Sequence, residues 1–144
     1  MDAALFEPEP VSAVGRMIAG ASAFAVSAGG AIVWYFDPAK AGFFPICPLY
    51  TLTGFACPGC GLTRGFHELF HGDLVTALDY NALIPVFVLA VLFLAVSLIS
   101  ISVRGKGLVR LSASPAFLVG MLVVLLTFGV LRNLPVYPFT VLYP

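Results

Sequence analysis

The sequence predicts an all-α membrane protein with about three transmembrane helices and a cysteine-containing interfacial connector between the first and the second. Three observations carry this expectation. Of the 144 residues, 60% are hydrophobic and only 10% are charged, whereas a soluble domain usually carries about a quarter charged residues. Three apolar runs approach or exceed the roughly 20 residues that cross a bilayer as a helix. Nearly every side chain capable of chemistry falls in one stretch outside those runs, Cys57 to His71.

Charge and cysteine count exclude several classes. Seven basic and seven acidic residues give zero formal net charge, and without a basic stripe there is no electrostatic footprint for nucleic acid. Three cysteines are too few for a disulfide framework and leave one thiol over if two pair.

In chain order, residues 1–12 are a polar tail with Asp2, Glu7 and Glu9. The first transmembrane helix is expected over 13–36, with Arg16 near its start and Trp34, Tyr35 and Phe36 as an interfacial belt before the stop at Asp37-Pro38. A cleaved signal peptide is the rival reading. The acidic front end, and an apolar stretch longer than the ~7–15 residues of a signal core, favour a retained helix. Residues 37–80 form the connector, in which the proline-punctuated run Phe43 to Tyr50 reads as lying at the membrane surface. Asp73 is placed to cap a short helix through Val75, Ala77 and Leu78. The second transmembrane helix is expected over 81–103, with Pro85 in its first turns, and a basic loop over 104–114 carries Arg104, Lys106 and Arg110. The third covers 115–131, with Ser114 as a cap, Pro115 in the first position and Arg132-Asn133 closing it. A proline-rich tail, 132–144, follows along the membrane surface.

Orientation follows from the basic loop, because short loops rich in Lys and Arg stay cytoplasmic. Arg16 puts the N-terminus on that side as well. The connector, with Lys40 and Arg64 against four acids, then faces the extracytoplasmic side.

A helix started at Gly61, with Cys57-Pro58-Gly59-Cys60 as its lead-in turn, gathers Cys60, Thr63, Arg64, His67 and His71 on one face, with Glu68 at the margin. Leu62, Phe66, Leu69 and Phe70 fall on the other, making the helix amphipathic. Three chemistries compete for the polar face. In the first, Cys57 and Cys60 form a redox pair whose thiolates are favoured by the helix start and by Arg64, with Cys47 as a third exchange partner. In the second, a metal such as zinc is held by cysteines and histidines drawn from Cys47, Cys57, Cys60, His67 and His71. Helical rise separates His71 from Cys60 by roughly 16 Å, so a site of Cys47, Cys57 and Cys60, with His67 if the loop folds back, is favoured over all five. The third is the literal H-E-x-x-H of His67 to His71, the zinc-hydrolase spacing, for which the chain offers no third histidine. A different class of reading is a non-catalytic membrane subunit or assembly factor, its connector locked by the cysteines and by pairs such as Arg64–Asp73 or Arg64–Asp79. Under any of these the partners are the lipid bilayer and a membrane complex or second copy, not nucleic acid, and the cofactor is zinc or none.

The run Cys57-Pro58-Gly59-Cys60-Gly61-Leu62-Thr63-Arg64 resembles the motif of an uncharacterised bacterial family of small multi-pass membrane proteins, a domain of unknown function. The likeness covers about residues 45–90, including Cys47-Pro48, His71-Gly72-Asp73 and Tyr80-Asn81. It implies that Cys47, Cys57, Cys60, Thr63, Arg64, Gly72, Asp73 and Asn81 are shared positions, and that the protein lies in a bacterial inner membrane. His67 and Glu68 depart from the pattern, where apolar residues are usual, which lowers the hydrolase reading. The resemblance supplies no activity.

Overall fold

A computed structural model describes residues 11–108, 115–137 and 139–142. The acidic tail before Val11, the loop residue Arg110, the expected cap Ser114, and Pro138, Tyr143 and Pro144 lie outside the described residues. The described chain is helical and contains no strand: α1 (Ala13–Tyr35), α2 (Pro48–Thr53), α3 (Leu62–Phe70), α4 (Leu74–Tyr80), α5 (Ile84–Arg104), α6 (Pro115–Leu131), and a short 3-10 turn at Phe139–Leu142.

Two helices, α1 and α5, are long and apolar enough to cross a membrane. Scarcely any of either is buried within the molecule, so neither is the core helix of a soluble domain, and the pair suggests a membrane protein. Side chains such as Phe24, Leu89 and Leu92 point outward, as lipid-facing groups do. α6 is apolar but shorter, at 17 residues.

α1 and α5 run antiparallel and make the most extensive helix pairing in the structure. Arg16 fixes the register of their ends. Its Nε donates to the Ser102 carbonyl at 3.0 Å and its Nη2 to the Val103 carbonyl at 2.8 Å, two acceptors in the last turn of α5 that have no partner within the helix. The Val11 amide donates to Gly105 O at 2.8 Å. Gly20 lets the two helices approach, since a Cβ there would lie 2.9 Å from Ser102 Oγ. Ser12 caps α1 by accepting from the Gly15 amide.

The connector folds back over the opposite end of this pair. α3 and α4 form a tight angle through Gly72, whose φ of 87° is open to glycine at little cost. Asp73 caps α4 with both carboxylate oxygens, taking the Thr76 amide at 3.0 Å and the Thr76 hydroxyl at 2.7 Å. These bonds hold its carboxyl below the usual carboxylate range. Asp73 is therefore engaged with Thr76 and not with Arg64; the ion pair among the described residues is Lys40–Asp37 at 2.8 Å. The second apolar run, expected from Asn81, is helical from Ile84. Asn81 itself is extended, with φ −160° and ψ 111°, and its side chain is turned into the connector.

The small core lies where α3, α4 and α5 meet. Ala77 and Ile84 are fully buried there, and Gly65 of α3 packs against both. A Cβ on Gly65 would come within 2.7 Å of Ile84 Cδ1 and 3.0 Å of the Ala77 carbonyl oxygen. Gly65→Ala gains about 1 kcal/mol in helix propensity but forces overpacking that costs typically 1–3 kcal/mol. Because one obstructing atom is backbone, the variant is predicted to unfold at a lower temperature in detergent. An unchanged or higher midpoint would mean that α3 and α5 are further apart than described.

Candidate functional site

The site is built on the turn between α2 and α3. The Cys60 amide donates to Cys57 O at 3.0 Å and the Leu62 amide to Gly59 O at 3.1 Å. Gly61, at φ 80°, then turns the chain into α3. These bonds curl Cys57-Pro58-Gly59-Cys60 so that both sulfurs face one way, with Cys60 Sγ 3.3 Å from Cys57 Sγ and 3.2 Å from the Cys57 amide. Cys47 arrives from ten residues upstream, at the start of α2. Gly54, at φ 75°, reverses the chain after that helix. The three sulfurs lie within 4.8 Å of one another.

The turn is held from below by three polar side chains that are largely shielded from solvent. Asn81, 1% exposed, donates its amide to Pro58 O at 2.8 Å and Cys60 O at 3.1 Å, and its Oδ1 accepts from the Leu83 amide. Arg132, with no exposed surface, donates from Nη1 to Cys57 O at 2.9 Å and Cys60 O at 3.1 Å, and its guanidinium lies 5.1 Å from the Phe128 ring centroid, within cation–π range. Asn133 pairs with Ala56 in both directions at 2.8 Å and donates to Gly129 O at 2.7 Å. Pro58 closes the contact from the other side, packing so tightly on α6 that a Cβ on Gly129 would lie 3.0 Å from Pro58 Cγ.

Arg132 and Asn133 read in sequence only as the close of the third apolar run. The signal that could have found them is their sidedness: the predicted topology puts that end of the run on the same side as the cysteines, where a turn rich in carbonyls needs donors.

The thiols are electrostatically unequal. The Tyr50 backbone amide, in the first turn of α2, draws the Cys47 pKa down to about 7, with help from the Cys57 and Cys60 thiols. Burial pushes Cys60 up to about 12, reinforced by the Cys57 and Cys47 thiols. This corrects the sequence expectation that the start of α3 and Arg64 favour a thiolate at Cys60. Cys60 precedes the helix, and desolvation of its sulfur outweighs any charge nearby.

The donor set suits a metal. Tetrahedral thiolate ligands at about 2.3 Å from zinc lie about 3.8 Å apart, a spacing that sulfurs within 4.8 Å of one another reach by small side-chain shifts. Thr63 and Arg64 line a cleft of about 400 Å³ together with Cys47 and Cys60. His67 and His71 are neighbours, their ring centroids 4.4 Å apart, but they lie outside the thiol cluster. His67 Nδ1 is 2.7 Å from Val33 O near the end of α1, and His71 Nδ1 is 2.8 Å from His67 O. Since a carbonyl only accepts, both Nδ1 atoms carry the proton and serve helix ends. Trp34 stacks on His71 at 6.4 Å.

A family model described as a protein of unknown function (DUF2752) matches residues 47–95, from Cys47 through the first half of α5. The match supports the likeness to an uncharacterised family drawn from the cysteine motif. Neither a curated protein nor a solved structure matches the chain.

Pro58 O is bonded by Asn81, whereas Cys60 O is also bonded by Arg132. Asn81→Leu keeps the volume but strands the Pro58 carbonyl and the Leu83 amide, at roughly 1–3 kcal/mol for each group left unpaired. The variant is predicted to melt earlier and to react faster with an alkylating agent at Cys60. Wild-type melting and alkylation would show that the turn holds without Asn81.

Proposed function

We propose that this is a three-span membrane protein whose connector presents a three-thiolate site for a soft or borderline metal ion, zinc foremost. The observation that carries the reading is the arrival of Cys47 beside Cys57 and Cys60. A disulfide needs only two sulfurs, whereas a third brought from a separate helix completes the ligand set of a metal. Three protein ligands with a fourth position open to a cleft is the arrangement of a zinc site that handles an outside ligand. Zinc binds cysteine as the thiolate, so loading the site releases protons. The lowered Cys47 pKa, about 7, gives a first ligand that is about half ionised at neutrality, and the metal's charge offsets the burial that keeps Cys60 protonated.

In this reading α1, α5 and α6 cross the inner membrane. The 17 residues of α6 rise about 26 Å, close to the hydrocarbon thickness. Arg16 lies beside Ser102 and Val103, so it shares a membrane face with Arg104 and Lys106, and the basic cluster supports a cytoplasmic assignment for that face. The connector lies on the opposite, extracytoplasmic face, where disulfides also persist.

That setting, and the 3.3 Å approach of Cys57 and Cys60, favour one second reading, thiol–disulfide exchange. One thiolate would attack a partner's disulfide, the other would resolve the mixed disulfide, and the partner would leave as a dithiol while Cys57 and Cys60 become oxidised.

Metal analysis of the purified protein, with alkylation and intact mass on the same sample, separates the two. The metal reading predicts about one zinc per chain and slow alkylation. Cys47→Ser should reduce zinc affinity by at least about tenfold while the protein still accumulates in the membrane. A mass two hydrogens low, restored by reductant, would establish exchange instead. Three freely alkylated thiols without metal would overturn the metal reading, and thiols that stay fully alkylatable after incubation with a small-molecule disulfide would overturn exchange as well.

A further inference from the structure

The cleft beside the thiols points to the fourth ligand. Its lining combines Cys47 and Cys60, the polar Thr63 and Arg64, and the apolar Phe44 and Ile46; no acidic residue is among the described residues that line it. Arg64 is exposed and makes no hydrogen bond or ion pair among the described residues. Lys40, the other basic residue of the connector, is already neutralised by Asp37 at 2.8 Å. An unspent guanidinium beside a half-apolar cleft that is lined by two of the three clustered cysteines is a recognition element for an oxyanion.

Charge favours Arg64 as a second cation, on the cleft side of the thiols, beside the Arg132 guanidinium that bonds the carbonyls of the turn. A divalent ion held by three thiolates carries a net charge of −1, and an anionic fourth ligand would raise this to −2 in a partly desolvated cleft. The guanidinium restores the balance that such a site needs.

We infer that the cleft binds an oxyanion headgroup, carboxylate or phosphate, on an apolar body, with Arg64 and Thr63 holding the headgroup beside the metal and Phe44 and Ile46 receiving the body. This rests on the metal reading of Cys47, Cys57 and Cys60. The same chemistry is available from a free amphipathic acid or from an anionic lipid headgroup, and it makes Arg64 a binding residue, not a ligand of the metal.

Cobalt(II) in place of zinc gives a direct readout. Thiolate charge-transfer absorption reports the three-sulfur site, and the d–d bands report its fourth ligand. Full-length protein in neutral detergent would be titrated with octanoate, and protein in phosphatidylcholine nanodiscs would be compared with and without phosphatidic acid. A d–d shift with octanoate assigns a free acid, and a shift confined to phosphatidic acid assigns a lipid; either supports the inference. Arg64→Gln should leave the charge-transfer band intact, which also shows that it is folded, and weaken the response by about tenfold or more. A normal charge-transfer band with no shift from any anion, or an unchanged response in Arg64→Gln, overturns the inference and leaves the metal site standing. Absence of the charge-transfer band in wild type overturns the metal reading and the inference with it.

Discussion

The constraint on which the rest depends is the hydrogen-bonding demand of one short turn. Cys57-Pro58-Gly59-Cys60 curls tightly enough to aim two sulfurs the same way, and in doing so it turns the carbonyls of Cys57, Pro58 and Cys60 into the protein. A buried carbonyl left without a donor costs about as much as a good side-chain contact gains. In a chain this apolar, few donors are at hand. Asn81 and Arg132 supply them, and Asn133 does the same for Ala56. The start of α5 and the end of α6 are thereby tied to the turn. Among the described residues α6 has no extensive contact with α1 or α5, so this polar clamp and the packing of Pro58 on Gly129 are main ties between α6 and the connector.

A buried arginine is a poor way to add stability, because desolvation consumes most of what its bonds return. Its value here is geometric. One nitrogen of Arg132 reaches two carbonyls of the turn, and the Phe128 ring lies close to its guanidinium, so the backbone that carries Cys57 and Cys60 is fixed independently of the sulfurs. A turn held in this way keeps its two thiols together through bonds to its backbone alone. Cys47 then needs only the short helix α2 and the reversal at Gly54 to complete the set.

Sequence made some of this legible and hid the rest for physical reasons. The apolar runs announced α1 and α5 because both are long and apolar enough to cross a membrane, a property that composition alone carries. The alternation within Leu62 to Phe70 announced α3, and Asp73 was recognisable as a cap because capping is a local bond across three residues. Arg132 and Asn133 were not legible as part of the site: their partners lie 72 to 77 positions away, and nothing local to the end of an apolar run reveals that. The convergence of Cys47 was open in sequence as one of several options, since loop closure over ten residues allows it without requiring it. The thiol electrostatics came out opposite to expectation at Cys60, because helix polarity is readable from sequence whereas burial of one sulfur is not. The H-E-x-x-H spacing did bring its two rings together, with each Nδ1 bonded to a carbonyl and Nε2 left over, but among the described residues the potential ligand cluster holds the three cysteines and neither histidine, a separation that the spacing alone does not reveal.

The most direct test of the three-sulfur site is X-ray absorption at the zinc edge on protein purified without added metal. The account predicts a first shell with three sulfurs at about 2.3 Å and one lighter atom at about 2.0 Å. A shell of nitrogen and oxygen alone, or one with two sulfurs and two imidazoles, would contradict it by removing at least one of the three sulfurs from the site.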